Sequence, residues 1–227
     1  IAHPNYLTSI TIGEYIDVKQ QYKDVEIHNF GYPDEKDAVE ASVKRLPDML
    51  SFFSNLTGKE YPFPTYSQVF VQDYGGFVGA HSLSTITENM VDDDRTHDDF
   101  YYLWDLTEAE AAAQQWFGNY IRCKDWNEIW LSKSFAHYFN GLYNEYKNGK
   151  DEFLFYQMLF DQNSVYLADW KSGYKRPIIT TNQPITLDLS INNYSTIRGA
   201  LVLHMLRKQL GEEKWVKTIQ TYLKEFG

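Results

Sequence analysis

The chain has 227 residues, 43% of them hydrophobic and 17% aromatic, enough to bury the core of one large domain or of two packed lobes. Its net charge is -10 and no basic cluster interrupts it, which argues against a nucleic-acid partner. A single cysteine, Cys123, excludes an internal disulfide and a cysteine-based zinc site without fixing a compartment.

The opening "IAHPNYLTSITIGEY" has no charged end followed by an apolar stretch, so it does not read as a signal peptide. No apolar run approaches the roughly 18 residues that cross a bilayer. The chain starts without Met and stops inside a helical pattern, and is expected to be a piece of a longer protein. "SITIGEYIDV" and "VEIHNF" alternate closely enough to predict strands. "DEKDAVEASVKRLPDMLSFFSNLTG" predicts a long helix ending at Gly58, with Pro47 marking a kink or a break. "YPFPTYSQVFVQDYGG" reads as a turn feeding a strand that ends at a glycine pair, and "HSLSTIT" as a further strand.

"VDDDRTHDDF" reads as an acidic loop. Its carboxylates suit calcium, but the spacing and glycine of an EF-hand are missing, so a solvated loop is expected. Beyond this stretch the chain is mostly helical in pattern. Thr107 with Glu110 predicts a capping box opening one helix, and Asp125 with Glu128 a second, opening "WNEIWLSKSFAHYFNGLYNEYKNG". Helices are predicted at about 151–169, 194–210 and 212–226, with "YKRPIITTNQPITLDLS" an irregular segment among them. A strand-rich part over 1–105 followed by a helical part over 106–227 is an α+β pattern.

The 18 tyrosines suit carbohydrate or peptide contact, but half-polar core filling is the expectation. None of His3, His28, His81, His97, His137 and His204 pairs at i, i+4. A relocated metal site from His81, His137 and an acid is one reading; ordinary packing or surface histidines are the expected one. The triplets at Asn55 and Asn193 match glycosylation acceptors, a common chance occurrence. No Gly-rich phosphate loop and no Gly-x-Ser-x-Gly turn is present.

Three segments carry more information. "QWFGNYIRCKDWNEIWLSKSFAHYF", "YPFPTYSQVFV" and "IRGALVLHMLRKQLG" resemble segments of the membrane alanyl aminopeptidase family of gluzincin zinc peptidases. Gln115, Trp116, Phe117, Gly118 and Asn119 match the run after the family's HExxH. Trp126, Trp130, Leu131, Phe135 and Ala136 match the run around its third zinc ligand. The resemblance implies a thermolysin-like catalytic domain, a mixed sheet lobe followed by a helical lobe with a cleft between them. It also implies a preceding β domain and further helical material after this region.

For chemistry, the resemblance implies a zinc ion on two histidines and a glutamate, a general-base Glu, an amine-binding Glu and a catalytic Tyr. The ligand positions are here Glu110, Gln114 and Lys133. The general-base position is Ala111. The amine-binding position, in "GFVGA", is Gly79, and the tyrosine position is Thr196 in "TIRG". Tyr194 stands two residues away on another helix face. An ammonium cannot ligate zinc while protonated, and no group is left to activate water.

Zinc is therefore not expected, although the family uses it. The expectation is a non-catalytic, pseudo-metallopeptidase domain that scaffolds, or binds a peptide or protein, within a larger protein. Tyr194, His81 and His137 are its cleft candidates. The alternatives are an active hydrolase with a displaced site, and a module that only fills a larger chain. An ion pair between Glu110 and Lys133, with Gln114 hydrogen-bonded into it, is expected to tie the two site helices together.

Overall fold

The computed structural model describes residues 3–173, 177–179 and 189–227. The irregular segment read from Tyr174 to Ser190 lies largely outside them.

Strands β1 (Ile16–Tyr22) and β2 (Val25–Gly31) form an antiparallel hairpin. The first strand starts later than "SITIGEYIDV" suggests: Ile10 and Ile12 are exposed, so their alternation buries nothing. The predicted long helix is two, α1 (Lys36–Ser42) and α2 (Leu46–Thr57). Pro47 sits in the first turn of α2, where its missing N–H costs nothing and its fixed φ helps. Gly58 ends α2 in the left-handed conformation.

Strand β3 (Thr65–Val71) runs parallel to β2. "GFVGA" contributes a strand not predicted as one, β4 (Phe77–Ala80), which turns back antiparallel onto β5 (Leu83–Thr87). Strand β5 runs parallel to β3, so the sheet order is β1-β2-β3-β5-β4 and β4 lies at an edge.

The acidic stretch is not a loop. It forms α3 (Asp94–Asp99), because the Asp93 carboxylate accepts from the backbone N–H groups of Arg95 and Thr96 and caps the helix. Helix α4 (Tyr101–Ala113) opens well before Thr107. The Thr107 hydroxyl donates back to the Leu103 carbonyl at 2.8 Å, so no capping box forms there. Asp125 does cap, accepting from the Asn127 N–H and opening a single 3-10 turn. Glu128 accepts from the Trp130 indole instead of closing the box.

Helix α5 (Ile129–Asn148) comes next, then α6 (Lys150–Glu152), a π-helical stretch (Phe153–Leu159) and α7 (Phe160–Ser172). Helices α8 (Leu189–Leu210) and α9 (Glu212–Phe226) complete the chain. The larger core joins sheet and helices through Phe53, Tyr66, Trp116, Phe139 and Trp215, with Tyr61, Tyr138 and Tyr143 also buried in it. Aromatic side chains are prominent among its fully buried residues, which suits the tyrosine-rich composition. A smaller cluster gathers Val18, Val39, Phe70, Ile86 and Ala111.

Candidate functional site where α4 meets α5 and the sheet edge

The end of α4 is clamped to the sheet edge by the residues of "QWFGN". Gln115 accepts from the Ser82 N–H at 3.1 Å and donates to the Ala80 carbonyl at 3.2 Å. Asn119 donates to the same Ala80 carbonyl at 2.8 Å. Trp116 is fully buried and its indole N–H reaches the Lys59 carbonyl. Gly118 has φ 133, a conformation that side-chain-bearing residues rarely adopt, so the turn after α4 requires glycine. These contacts hold the last turn of α4 against β4.

Two turns of α4 and α5 face each other at Glu110. Its Oε2 lies 2.9 Å from His137 Nδ1 and accepts from the Asn140 amide at 2.7 Å. The other ring nitrogen of His137, Nε2, lies 3.1 Å from Asp161, a carboxylate only 3% exposed on α7. The amide of Gln157, in the π-helical stretch, lies 2.6 Å from the same nitrogen and donates to Asp161 at 3.1 Å. The wide π turn brings Gln157 and Asp161 onto one face toward α5. Burial on its own would lower the His137 pKa. The Glu110 charge and the hydrogen bonds to Asp161 and Glu110 outweigh it and raise the value to about 10, so the ring is an imidazolium at neutral pH.

This arrangement corrects the expected ion pair. Glu110 takes His137 as its contact partner, and Lys133 forms no ion pair or hydrogen bond among the described residues. The reason is reach. His137 lies one turn beyond Lys133 on the same face of α5, and its short rigid ring spans the gap between two carboxylates. Lys133 is half-buried; burial pulls its pKa below the ordinary lysine value and the Glu110 charge pulls it back up. Gln114 does not join a network either: its Nε2 is buried without an acceptor. Its Oε1 lies over Gly79, 2.5 Å from where a β-carbon on Gly79 would stand. Gly79 on the edge strand thus leaves the space that Gln114 fills.

Ala111 is fully buried in the smaller apolar cluster. Thr196 is buried on α8. Tyr194 donates to Asp169 at 2.5 Å and accepts from Arg198, which ties α8 to α7. His81 stacks on His3 with ring centroids 4.7 Å apart and abuts Phe63, and burial followed by the His3 charge lowers its pKa. His81 and His137 therefore serve separate clusters. No group of three or more His, Cys, Asp or Glu among the described residues is arranged to hold a metal ion. Sequence reasoning missed Asn140, Gln157 and Asp161. The available signal was an acid, Asp161, on a helix face shared with Gln157 one turn earlier.

A mixed five-stranded sheet with an antiparallel strand at each edge, clamped to a helix pair by "QWFGN", defines an α+β domain. The model of the peptidase family M1 domain matches residues 41–227, and the chain belongs to that family. It is 27% identical over 212 residues to human endoplasmic reticulum aminopeptidase 2, covering 89% of this chain and 21% of that protein. It is 24% identical over 197 residues to glutamyl aminopeptidase of Sus scrofa, covering 86% of this chain and 21% of that protein. Endoplasmic reticulum aminopeptidase 1 of Rattus norvegicus is 22% identical over 228 residues, covering 98% of this chain and 24% of the relative. The chain thus spans about a fifth to a quarter of the length of the curated relatives it matches.

Proposed function

We propose that this chain is a non-catalytic aminopeptidase-like domain, a pseudo-metallopeptidase that binds a peptide or protein, or scaffolds, within a longer polypeptide. The observation that carries the reading is the state of Glu110. One of its carboxylate oxygens, Oε2, is engaged by both His137 and Asn140. The donor set around it does not fit zinc, since Gln114 offers only a weakly donating amide and Lys133 an ammonium. The general-base position is an alanine inside an apolar cluster, where a carboxylate would be poorly solvated. The frame around these positions is kept: Gln115 and Asn119 still fix α4 to the sheet edge.

The test is metal content with activity. Purified protein incubated with zinc and dialysed is expected to retain no stoichiometric zinc and to release no nitroaniline from aminoacyl nitroanilides. Stoichiometric zinc, with hydrolysis lost on chelation, would overturn the reading in favour of an active hydrolase with a displaced site.

A further inference from the structure

Helix α7, with the π turn before it, presents two sides for packing. One side is buried, through Phe153, Met158 and Asp161. The other carries Leu159, Phe160, Tyr166, Leu167 and Trp170, whose spacing gathers them into one stripe across the helix from Asp161. Phe160, Tyr166 and Trp170 are 68%, 67% and 71% exposed, and Leu159 and Leu167 are 47% and 43% exposed. With about 200 Å² for each fully exposed aromatic side chain, the stripe offers roughly 500 Å² of apolar surface. A monomer usually shows no patch larger than about 300–600 Å². Asn163 is the polar residue at the middle of the stripe. Between Leu154 and Ala168 the sole residue among Asp, Glu, Lys, Arg and His is Asp161, which is buried, so the stripe is uncharged in a chain of net charge -10. A helix that is apolar on opposite sides is one that packs on both.

We propose that this stripe is the interface of a homodimer, covered by the same stripe of a second copy of the chain. The area fits. An interface of standard size takes about 800 Å² from each partner, and in homodimers about 65% of it is apolar, which is roughly 500 Å². The charge fits as well. Two chains of net charge -10 repel one another, and an uncharged face is where they can meet without opposing like charges. A charged partner would find no counter-charge on it. The order of residues suits a twofold axis, across which one patch must complement itself. In an antiparallel pair with the axis at Asn163, Leu159 of each chain faces Leu167 of the other, and Phe160 faces Tyr166. The two Asn163 amides then meet at the axis, where each can donate to the other, so the polar residue is not stranded and sets the register. A dimer of this kind goes beyond the non-catalytic reading and stands without it, since it uses none of Glu110, Gln114 and Lys133.

Sedimentation velocity of the whole chain over a range of micromolar concentrations reads the mass directly. A monomer–dimer equilibrium is expected, weakened about tenfold or more by Phe160→Glu and by Trp170→Glu. Ile12→Glu, a control at an exposed apolar residue elsewhere, should leave it unchanged. Urea midpoints check that each variant is folded; the substituted side chains are exposed, so their loss costs the monomer little. Cross-linking tests the axis. In a Cys123→Ser background, Asn163→Cys should form a disulfide-linked dimer on mild oxidation, because a residue on the axis meets its own copy, whereas Gln162→Cys, which lies off the stripe, should not. A monomer at every concentration overturns the dimer and leaves the stripe to another part of a longer polypeptide. A dimer that survives both Phe160→Glu and Trp170→Glu overturns it by placing the contact elsewhere, and cross-linking through Gln162→Cys as readily as through Asn163→Cys overturns the twofold pairing. None of these outcomes bears on zinc content or hydrolysis, so the non-catalytic reading is tested separately.

Discussion

His137 makes the stability of this domain depend on pH in a direction opposite to that of a typical buried histidine. The ring is held between Glu110 on α4 and Asp161 on α7, and its pKa is raised from 6.5 to about 10. A base with a raised folded-state pKa contributes stability that is complete below its unfolded value and is lost as pH rises through the folded value. The window therefore runs upward from pH 6.5 to about 10. Within it the loss is about 1.4 kcal/mol per pH unit, or roughly 2.7 kcal/mol over two units. Lys133, with its lowered pKa, works in the opposite direction, so a comparison between variants is needed to isolate His137.

Asp161→Asn is that comparison. It removes one of the two carboxylates while leaving a side chain of the same shape beside the ring, and it draws the His137 pKa back toward 6.5. Urea midpoints at three pH values between 6.5 and 8.5 should fall steeply for the natural sequence and far less for Asp161→Asn, the two converging as pH rises. His137→Gln should be less stable than both at pH 6.5, by about 3–5 kcal/mol, because it strands two carboxylates. Parallel curves for the natural sequence and Asp161→Asn would refute the charged-imidazole argument.

Two further substitutions test the frame. Gln115→Ala removes two of the three hydrogen bonds that join the end of α4 to the Ala80–Ser82 turn, leaving that of Asn119, and is expected to cost about 1–3 kcal/mol and to speed hydrogen exchange at the Ser82 amide selectively; unchanged exchange there would refute the clamp. Gly199→Ala would set a methyl 2.8 Å from the Ser134 β-carbon and 2.9 Å from Trp130 Cε3 where α8 crosses α5, an overpacking cost of about 1–3 kcal/mol that Ser134→Gly should recover in part; additivity of the two changes would argue against the Ser134 contact.

The sequence was most informative where local pattern and packing agree. Helices α5 and α9 and strands β2, β3 and β5 arise from apolar spacing that the structure buries. It misled where a local motif had a competing use. Thr107 with Glu110 has the residues of a capping box, yet the chain is already helical from Tyr101, and the hydroxyl turns to Leu103. The acidic run from Val91 reads as a loop by charge, yet one carboxylate, Asp93, caps a helix, and His97 buries itself against Asp105. Strand β4 was hidden because a Gly in a four-residue strand gives no alternation to count. Within the site, the positions were named through the family resemblance, and their pairing was not legible from it. Asp161 and Gln157 reach His137 only because the helix after α5 widens by a π turn, which apolar periodicity does not report.

The choice of cation at Glu110 links that geometry to function. Two cations stand on one face of α5, a turn apart, and one of them touches the carboxylate. His137 does so, and its other ring nitrogen is met by Gln157 and Asp161, while Asn140 on the same helix donates to Glu110. An imidazolium with an acid on each side is a fixed crosslink: both ring nitrogens are used and the ring has no slack. Because His137 holds α4 to α5, Lys133 is not needed for that task. The same division applies at the sheet edge. Gln114 fills the space above Gly79 with its carbonyl end and leaves its amide N–H groups without an acceptor. The crosslink can therefore be loosened on its own: Asp161→Asn should lower the urea midpoint at neutral pH while leaving the Glu110–His137 contact in place.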